Sequence, residues 1–166
     1  MRLIDLTHST SRRAPAADVI PVVVRSLDPI DRVPLGSLAT VIDLTNRREQ
    51  GRIARSDVAK TGVAGIAGCI LRTDWSDDYL AGMRQPAPEL TVEAAAYLLE
   101  GGVRTIAADF PLTSAAADLL LHNNCALVSC LSNVAALSEG IVRLVALPLK
   151  LRDTFSAEAR VMAMEE

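Results

Sequence analysis

Residues 125–133 read Cys125-Ala126-Leu127-Val128-Ser129-Cys130-Leu131-Ser132-Asn133. A short apolar run that leaves a helical pattern and ends in turn residues is read as a buried strand closed by a polar turn. Working backwards, Thr113 or Ser114 is placed to cap a helix that runs to His122 and stops at Asn123-Asn124. Residues 103–109 form another apolar strand, ending at Asp109. Before it, Thr91 caps a helix through Glu100, and Gly101-Gly102 ends that helix with residues that tolerate positive φ. Residues 69–73 are a strand preceded by Gly62, Gly65 and Gly68, and residues 73–88 read as a long irregular passage. Working forwards, residues 133–137 make at most a short helix. Residues 141–151 read as a long strand containing Pro148, and residues 158–164 as the last strand.

The first third is richer in strands. Residues 2–6 alternate and read as an opening strand. Residues 9–17 are small and polar, a loop. Residues 19–24 are β-branched, but Pro21 demotes them to an edge strand or an extended loop. Residues 38–44 return to strand character, 46–50 are a charged turn, and a short helix over 56–60 has Ser56 as its N-cap. The order, strands first and α/β units afterwards, predicts an α/β fold with a mixed central sheet or barrel and helices outside. No linker or repeat divides the chain, so residues 1–166 are read as one domain.

Half of the 166 residues are hydrophobic and 3% are aromatic. The core is therefore aliphatic, and a base-stacking surface for nucleic acid is excluded by the shortage of rings. A net charge of −3 argues the same way. No apolar run reaches the ~18 residues of a membrane span, because Arg143 and Lys150 interrupt the greasiest segment. The opening residues are too short and too polar for a secretory signal, so a cytoplasmic location is expected. Cys69, Cys125 and Cys130 lack metal or redox spacing and read as reduced core thiols.

From residue 69 onward a resemblance emerges. Ile70-Leu71-Arg72-Thr73-Asp74-Trp75, then Pro88-Glu89-Leu90-Thr91 opening an Ala-rich helix, resemble the cyclase-like hydrolase family. That family includes kynurenine formamidase, isatin hydrolase and cyclases from polyketide gene clusters. Gly102-Val103-Arg104-Thr105-Ile106-Ala107-Ala108-Asp109, Leu131-Ser132-Asn133 and Ala146-Leu147-Pro148-Leu149-Lys150 are similar to its later strands. Ile4-Asp5-Leu6-Thr7-His8 is similar to its opening strand. The resemblance implies a swivelling β/β/α fold and a homodimer or higher homo-oligomer.

It also implies a divalent metal held through HxGTHxDxPxH and a later His and Glu, because imidazoles and carboxylates hold zinc or manganese and leave room for an activated water. Only Ala14-Pro15 remains of the first motif. Ser11 stands where a ligand His belongs, Arg13 where the Asp belongs and Ala17 where the last His belongs. The later His and Glu fall on Ala117 and Ser129. The chain is shorter than the family, with the missing part between His8 and Arg13. A guanidinium does not deprotonate and repels a cation. The resemblance thus implies no metal and no other cofactor here.

Among the remaining candidates, His8 reads as a histidine at the end of the first strand, and His122 as a cation suited to a helix C-terminus. Gly62, Gly65 and Gly68 precede a strand rather than a helix, so they read as a close-packed turn and not a phosphate loop. Asp74, Asp77 and Asp78 read as a solvated acidic loop, although Asp74 and Trp75 occupy the family's pocket-bordering loop and, with Ser11, are candidate substrate-binding residues. Asp109 is either an acid or base at a strand's carboxyl end or an acceptor for loop amides. Arg13 and Ser129 either form a donor pocket for an anionic or carbonyl group or mark the decay of a dead site. Arg13, Ser129 and Asp109 are the catalytic candidates.

The expected function is metal-independent ring closure in a small carbonyl-rich or polyketide-like metabolite, with a small-molecule partner and neither nucleic acid nor membrane. The alternatives are a non-catalytic ligand-binding or assembly subunit and a metal-dependent amide or lactone hydrolase with atypical ligands.

Overall fold

A computed structural model describes residues 1–8, 21–28, 36–47, 51–138 and 140–165. The described residues form ten strands and four α-helices. In chain order the strands are β1 (Arg2–Asp5), β2 (Val23–Arg25), β3 (Gly36–Asp43), β4 (Arg52–Ile53), β5 (Gly68–Arg72), β6 (Glu89–Leu90), β7 (Thr105–Ala108), β8 (Ala126–Ser129), β9 (Ile141–Pro148) and β10 (Ser156–Glu165). The helices are α1 (Arg55–Val58), α2 (Trp75–Leu80), α3 (Val92–Glu100) and α4 (Ala115–His122).

The main sheet runs β1-β10-β2-β8-β7-β5-β3-β9, and β9 also pairs with β10. That last pairing closes seven strands into a barrel-like ring, with β1 continuing along the edge of β10 that β2 leaves. Strands β3, β5, β7 and β8 are mutually parallel, and the closing strands are antiparallel. This is the mixed α/β architecture that the strand order predicts.

Parallel strands covered on both faces need apolar side chains on both. The chain supplies them by alternation. Val41, Ile70, Ala107 and Val128 face the barrel core. Ile42, Leu71, Ile106 and Leu127 face a second core under the helices. Ala146, Ala157, Ala159 and Ala163 keep the barrel side chains short enough to fill its interior. Gly68 is required where β5 passes β3, since a Cβ there would lie 2.7 Å from Ser37 Oγ and 3.0 Å from the Leu38 carbonyl. Gly62 and Gly65 turn with φ of 60° and 78°, as a tight turn ahead of a strand demands.

Four local expectations change. Pro21 lies just before β2, so its missing N–H takes nothing from the ladder, and β2 is flanked on both sides by β10 and β8 instead of lying at an edge. Helix α1 starts one residue before Ser56. Its N-cap is Ala54, whose amide is bonded by the Asp57 carboxylate at 2.9 Å. The passage over 73–88 contains α2, because Asp109 holds its first turn from outside the local sequence. Strand β9 ends at Pro148, as an interior proline requires. No helix among the described residues is long and apolar enough to cross a membrane.

Candidate active site

The four parallel strands deliver their polar candidates to one end of the barrel. Asp43, Arg72, Asp109 and Ser129 all stand at or just beyond the carboxyl ends of β3, β5, β7 and β8. Open α/β sheets collect ligands at that edge.

Asp109 is 2% exposed and organises the corner between β5 and α2. Its carboxylate accepts hydrogen bonds from the Thr73 amide at 2.7 Å, the Thr73 hydroxyl at 2.7 Å and the Asp74 amide. Its own carbonyl accepts from the Ser76 amide at 3.1 Å and from the Ser76 hydroxyl. Burial pushes the Asp109 carboxyl up to about 7, against the pull of those three donors. Of the two roles open in the sequence, the geometry displays the second, an acceptor for loop amides.

Asp74 adopts the left-handed region, φ 63°, and pairs with Arg72 at 2.8 Å. Trp75 turns away from the barrel end into the helix-side core, donating its indole N–H to the Gln85 carbonyl at 3.1 Å and lying 4.9 Å from the Tyr79 ring. Ser129 is 8% exposed, and its hydroxyl accepts a long hydrogen bond, 3.4 Å, from the Leu112 amide. Asp109, Asp74 and Ser129 are thus brought to one end, with Asp109 and Asp74 in direct contact. Trp75 is not among them. Ser11 and Arg13 lie outside the described residues, as do Ala14, Pro15 and Ala17.

A second polar group was not singled out as a site in the sequence. The turn after β8 is lashed to the end of β1, with the Ser132 amide donating to the Leu6 carbonyl and the Asn133 side-chain amide to the Asp5 carbonyl. This places His8 beside Cys130, with the ring Nε2 at 3.0 Å from the Cys130 carbonyl oxygen. Asp77 stands close enough to His8 for its charge to be felt, and accepts the Asn133 amide at 3.0 Å. Burial draws the His8 imidazole below its ordinary value, opposed by Asp77 and by the Cys130 carbonyl. Burial raises Asp77 in turn, opposed by the Asn133 amide and His8. Cys130 and Asn133 are both left-handed, φ 62° and 55°. His8 lines an open cleft of about 750 Å³ together with Asp5, Thr7, Glu158, Arg160 and Leu147. A lone histidine at a strand end gave no local signal for this, because Cys130, the residue that fixes its ring, is 122 residues away.

The other histidine is at the C-terminus of α4, exposed, with Nδ1 at 2.7 Å from the Asp118 carbonyl oxygen. The three cysteines are free and buried. Burial lifts the Cys130 thiol to about 11, with a further push from Asp109, so it is not a ready nucleophile.

The donor chemistry does not fit a resident divalent ion among the described residues. No three His, Cys, Asp or Glu side chains converge there. Ala117 is a buried methyl on α4, and Ser129 offers a neutral hydroxyl already bonded to an amide.

No protein-family model matches the chain, and no curated protein matches its sequence. Solved structures do match. A protein described as a potential metal-dependent hydrolase with cyclase activity superposes with a TM-score of 0.81 at 18% identity, over 99% of each chain. Isatin hydrolase A from Labrenzia aggregata, bound to benzyl benzoate, gives 0.80 at 19% identity over 98% of this chain and 93% of that one. Isatin hydrolase A from Ralstonia solanacearum gives 0.80 at 17% over 99% and 92%. The likeness is one of fold, and these are the hydrolases and cyclases that the sequence resembles.

Proposed function

We propose that this protein is an enzyme of the cyclase-like hydrolase family that closes a ring in a small carbonyl-rich or polyketide-like metabolite without a resident divalent ion. The observation that carries this reading is the backbone at the barrel end. Cys130 and Asn133 are held at positive φ beside a cleft-lining histidine, whose ring is bonded to the Cys130 carbonyl, and Asp74 is held at positive φ at the neighbouring Asp109 corner. Each such residue costs on the order of 1–3 kcal/mol, and strain of this kind gathers where a ligand is handled. The named neighbours, a hydrolase with cyclase activity and isatin hydrolases, support a carbonyl chemistry.

Ring closure gains most from holding one reactive conformer, which removes entropy from the barrier. Arg13 and Ser129 are the proposed donors to a developing oxyanion, with Ser11 and Asp74 bordering the substrate, whereas Trp75, packed in the helix-side core, is dropped from that role. The test is turnover of a linear poly-β-carbonyl thioester by protein stripped with a chelator. Unchanged turnover is expected. Loss on stripping and recovery with zinc or manganese would reject metal independence, and full activity in Arg13→Ala would remove Arg13 from its role.

One observation favours a second reading, a non-catalytic binding or assembly subunit. The edge between β3 and β9 exposes Leu38 and Ile141 side by side. Such a face suits a homodimer or higher homo-oligomer on either reading. Light scattering that gives a monomer would reject the assembly role.

A further inference from the structure

From the geometry around the turn after β8, we infer that His8 is a catalytic base that takes the acidic carbon-bound proton of a 1,3-dicarbonyl compound lying in the cleft between the end of β1 and the β9–β10 hairpin. The inference rests on the carbonyl-substrate reading above and adds the group, the atom and the substrate class.

The ring's bonding fixes its tautomer. A carbonyl oxygen only accepts, so the 3.0 Å contact with Cys130 requires the proton on Nε2. In the neutral ring the lone pair is then on Nδ1. Among the described residues Nδ1 has no hydrogen-bond partner, while the ring itself lines the cleft. The Cys130 carbonyl that fixes the ring belongs to a residue held at φ 62°, next to the end of β8. Its position is maintained by the Cys130 amide bonding the Phe110 carbonyl and the Leu131 amide bonding the Ala108 carbonyl. The base is therefore held in place by the strand ends that carry its partner.

Asp77 completes the pair. Its carboxylate is anchored by the Asn133 amide and acts on His8 through space. A neutral ring gains a charge on taking a proton, and a fixed anion nearby stabilises that charge. Across the cleft, Arg160 bonds Asp5 through one nitrogen at 2.8 Å, which leaves further guanidinium donors for an oxyanion. Leu147 supplies an apolar wall.

The substrate class follows from the carbonyl-substrate reading and from Arg160. Carbon flanked by two carbonyls is acidic enough for an imidazole to deprotonate, and the two enolate oxygens match the guanidinium donors left on Arg160. In the step, the C–H bond between the carbonyls breaks and an N–H bond forms at Nδ1. The electron pair spreads over both oxygens as an enolate beside Arg160. The proton returns to carbon or to solvent when the enolate reacts.

The experiment follows exchange of the C2 protons of ethyl acetoacetate in D2O by NMR, with binding of the same probe measured in parallel. The full-length protein is expected to accelerate exchange over buffer. His8→Gln is expected to lower that acceleration about 100-fold with binding unchanged, and His122→Gln to leave both as they are. Added imidazole is expected to restore exchange in His8→Gly, which separates lost chemistry from lost folding. Bound probe with exchange unaffected by His8→Gln, or not accelerated at all, overturns the role of His8 and leaves the carbonyl-substrate reading standing. A probe that does not bind overturns both. Long-range proton–nitrogen spectra, with only two histidines to assign, are expected to show His8 as the Nε2–H tautomer. The Nδ1–H form would equally overturn the assignment.

Discussion

The Asp109 corner and the His8 cleft occupy the same end of the barrel but treat their polar groups in opposite ways. At the corner, both carboxylate oxygens are bonded inside the protein and the side chain is sealed from water. At the cleft, one ring nitrogen is fixed and the other has no hydrogen-bond partner among the described residues. A group whose hydrogen-bonding capacity is filled internally holds the fold. A group fixed on one side and vacant on the other is able to act on something from outside. Burial alone, or a raised titration value alone, does not separate the two cases. The count of filled and vacant bonding positions does.

Removing the carboxylate tests this contrast most severely. Asp109→Ala leaves the Thr73 and Asp74 amides without their acceptor, and the loss is expected to reach about 3–5 kcal/mol in denaturant unfolding. A loss below about 1 kcal/mol would mean that the corner does not depend on Asp109. The next test is pH. The folded-state value of about 7 lies above the ordinary 3.8, so the protonated form favours the folded state. Stability contributed by Asp109 is therefore present below about pH 4 and declines as pH rises through about 7. Asp109→Asn is expected to flatten that decline, and the same slope in wild type and variant would show that another group causes it. Asn retains one acceptor for the amides while the Thr73 hydroxyl turns to accept from it.

Smaller effects sharpen the comparison. Thr73→Val removes one hydroxyl donor at the corner and is expected to cost about 1–2 kcal/mol by thermal or denaturant unfolding. At the cleft rim, Arg160 and Asp5 form an ion pair with both side chains well exposed to water. Arg160→Ala is expected to cost less than about 1 kcal/mol of stability while weakening the probe's binding. A stability loss as large as that of Thr73→Val would show the rim to be as structural as the corner.

The frame of the molecule was legible in local pattern. Apolar runs such as Ala126 to Val128 are buried on both faces because parallel strands are covered on both sides. Thr91 caps α3 by accepting the Ala94 amide, and Asn124 ends the α4 unit at φ 58°. Asp109 stood out because it ends such a strand, and Ser129 because the family resemblance puts a ligand glutamate at its position. What local pattern missed was helix α2 and the loss of Trp75 to the helix-side core. Both follow from Asp109, thirty-six residues from Thr73, which bonds the turn where the chain enters α2.

Sequence alone thus determined the strands of the main sheet and helices α3 and α4, since periodicity and capping act within a few residues. It also determined the kinship of fold, since that pattern extends over most of the chain. Only the closed barrel decided which polar groups meet. Strand β10 joins β1, β2 and β9, and that closure sets His8 against Cys130, 122 residues away. A hydrogen bond between distant residues is fixed by where the strands finish, and no property of either residue's neighbours in the chain encodes it.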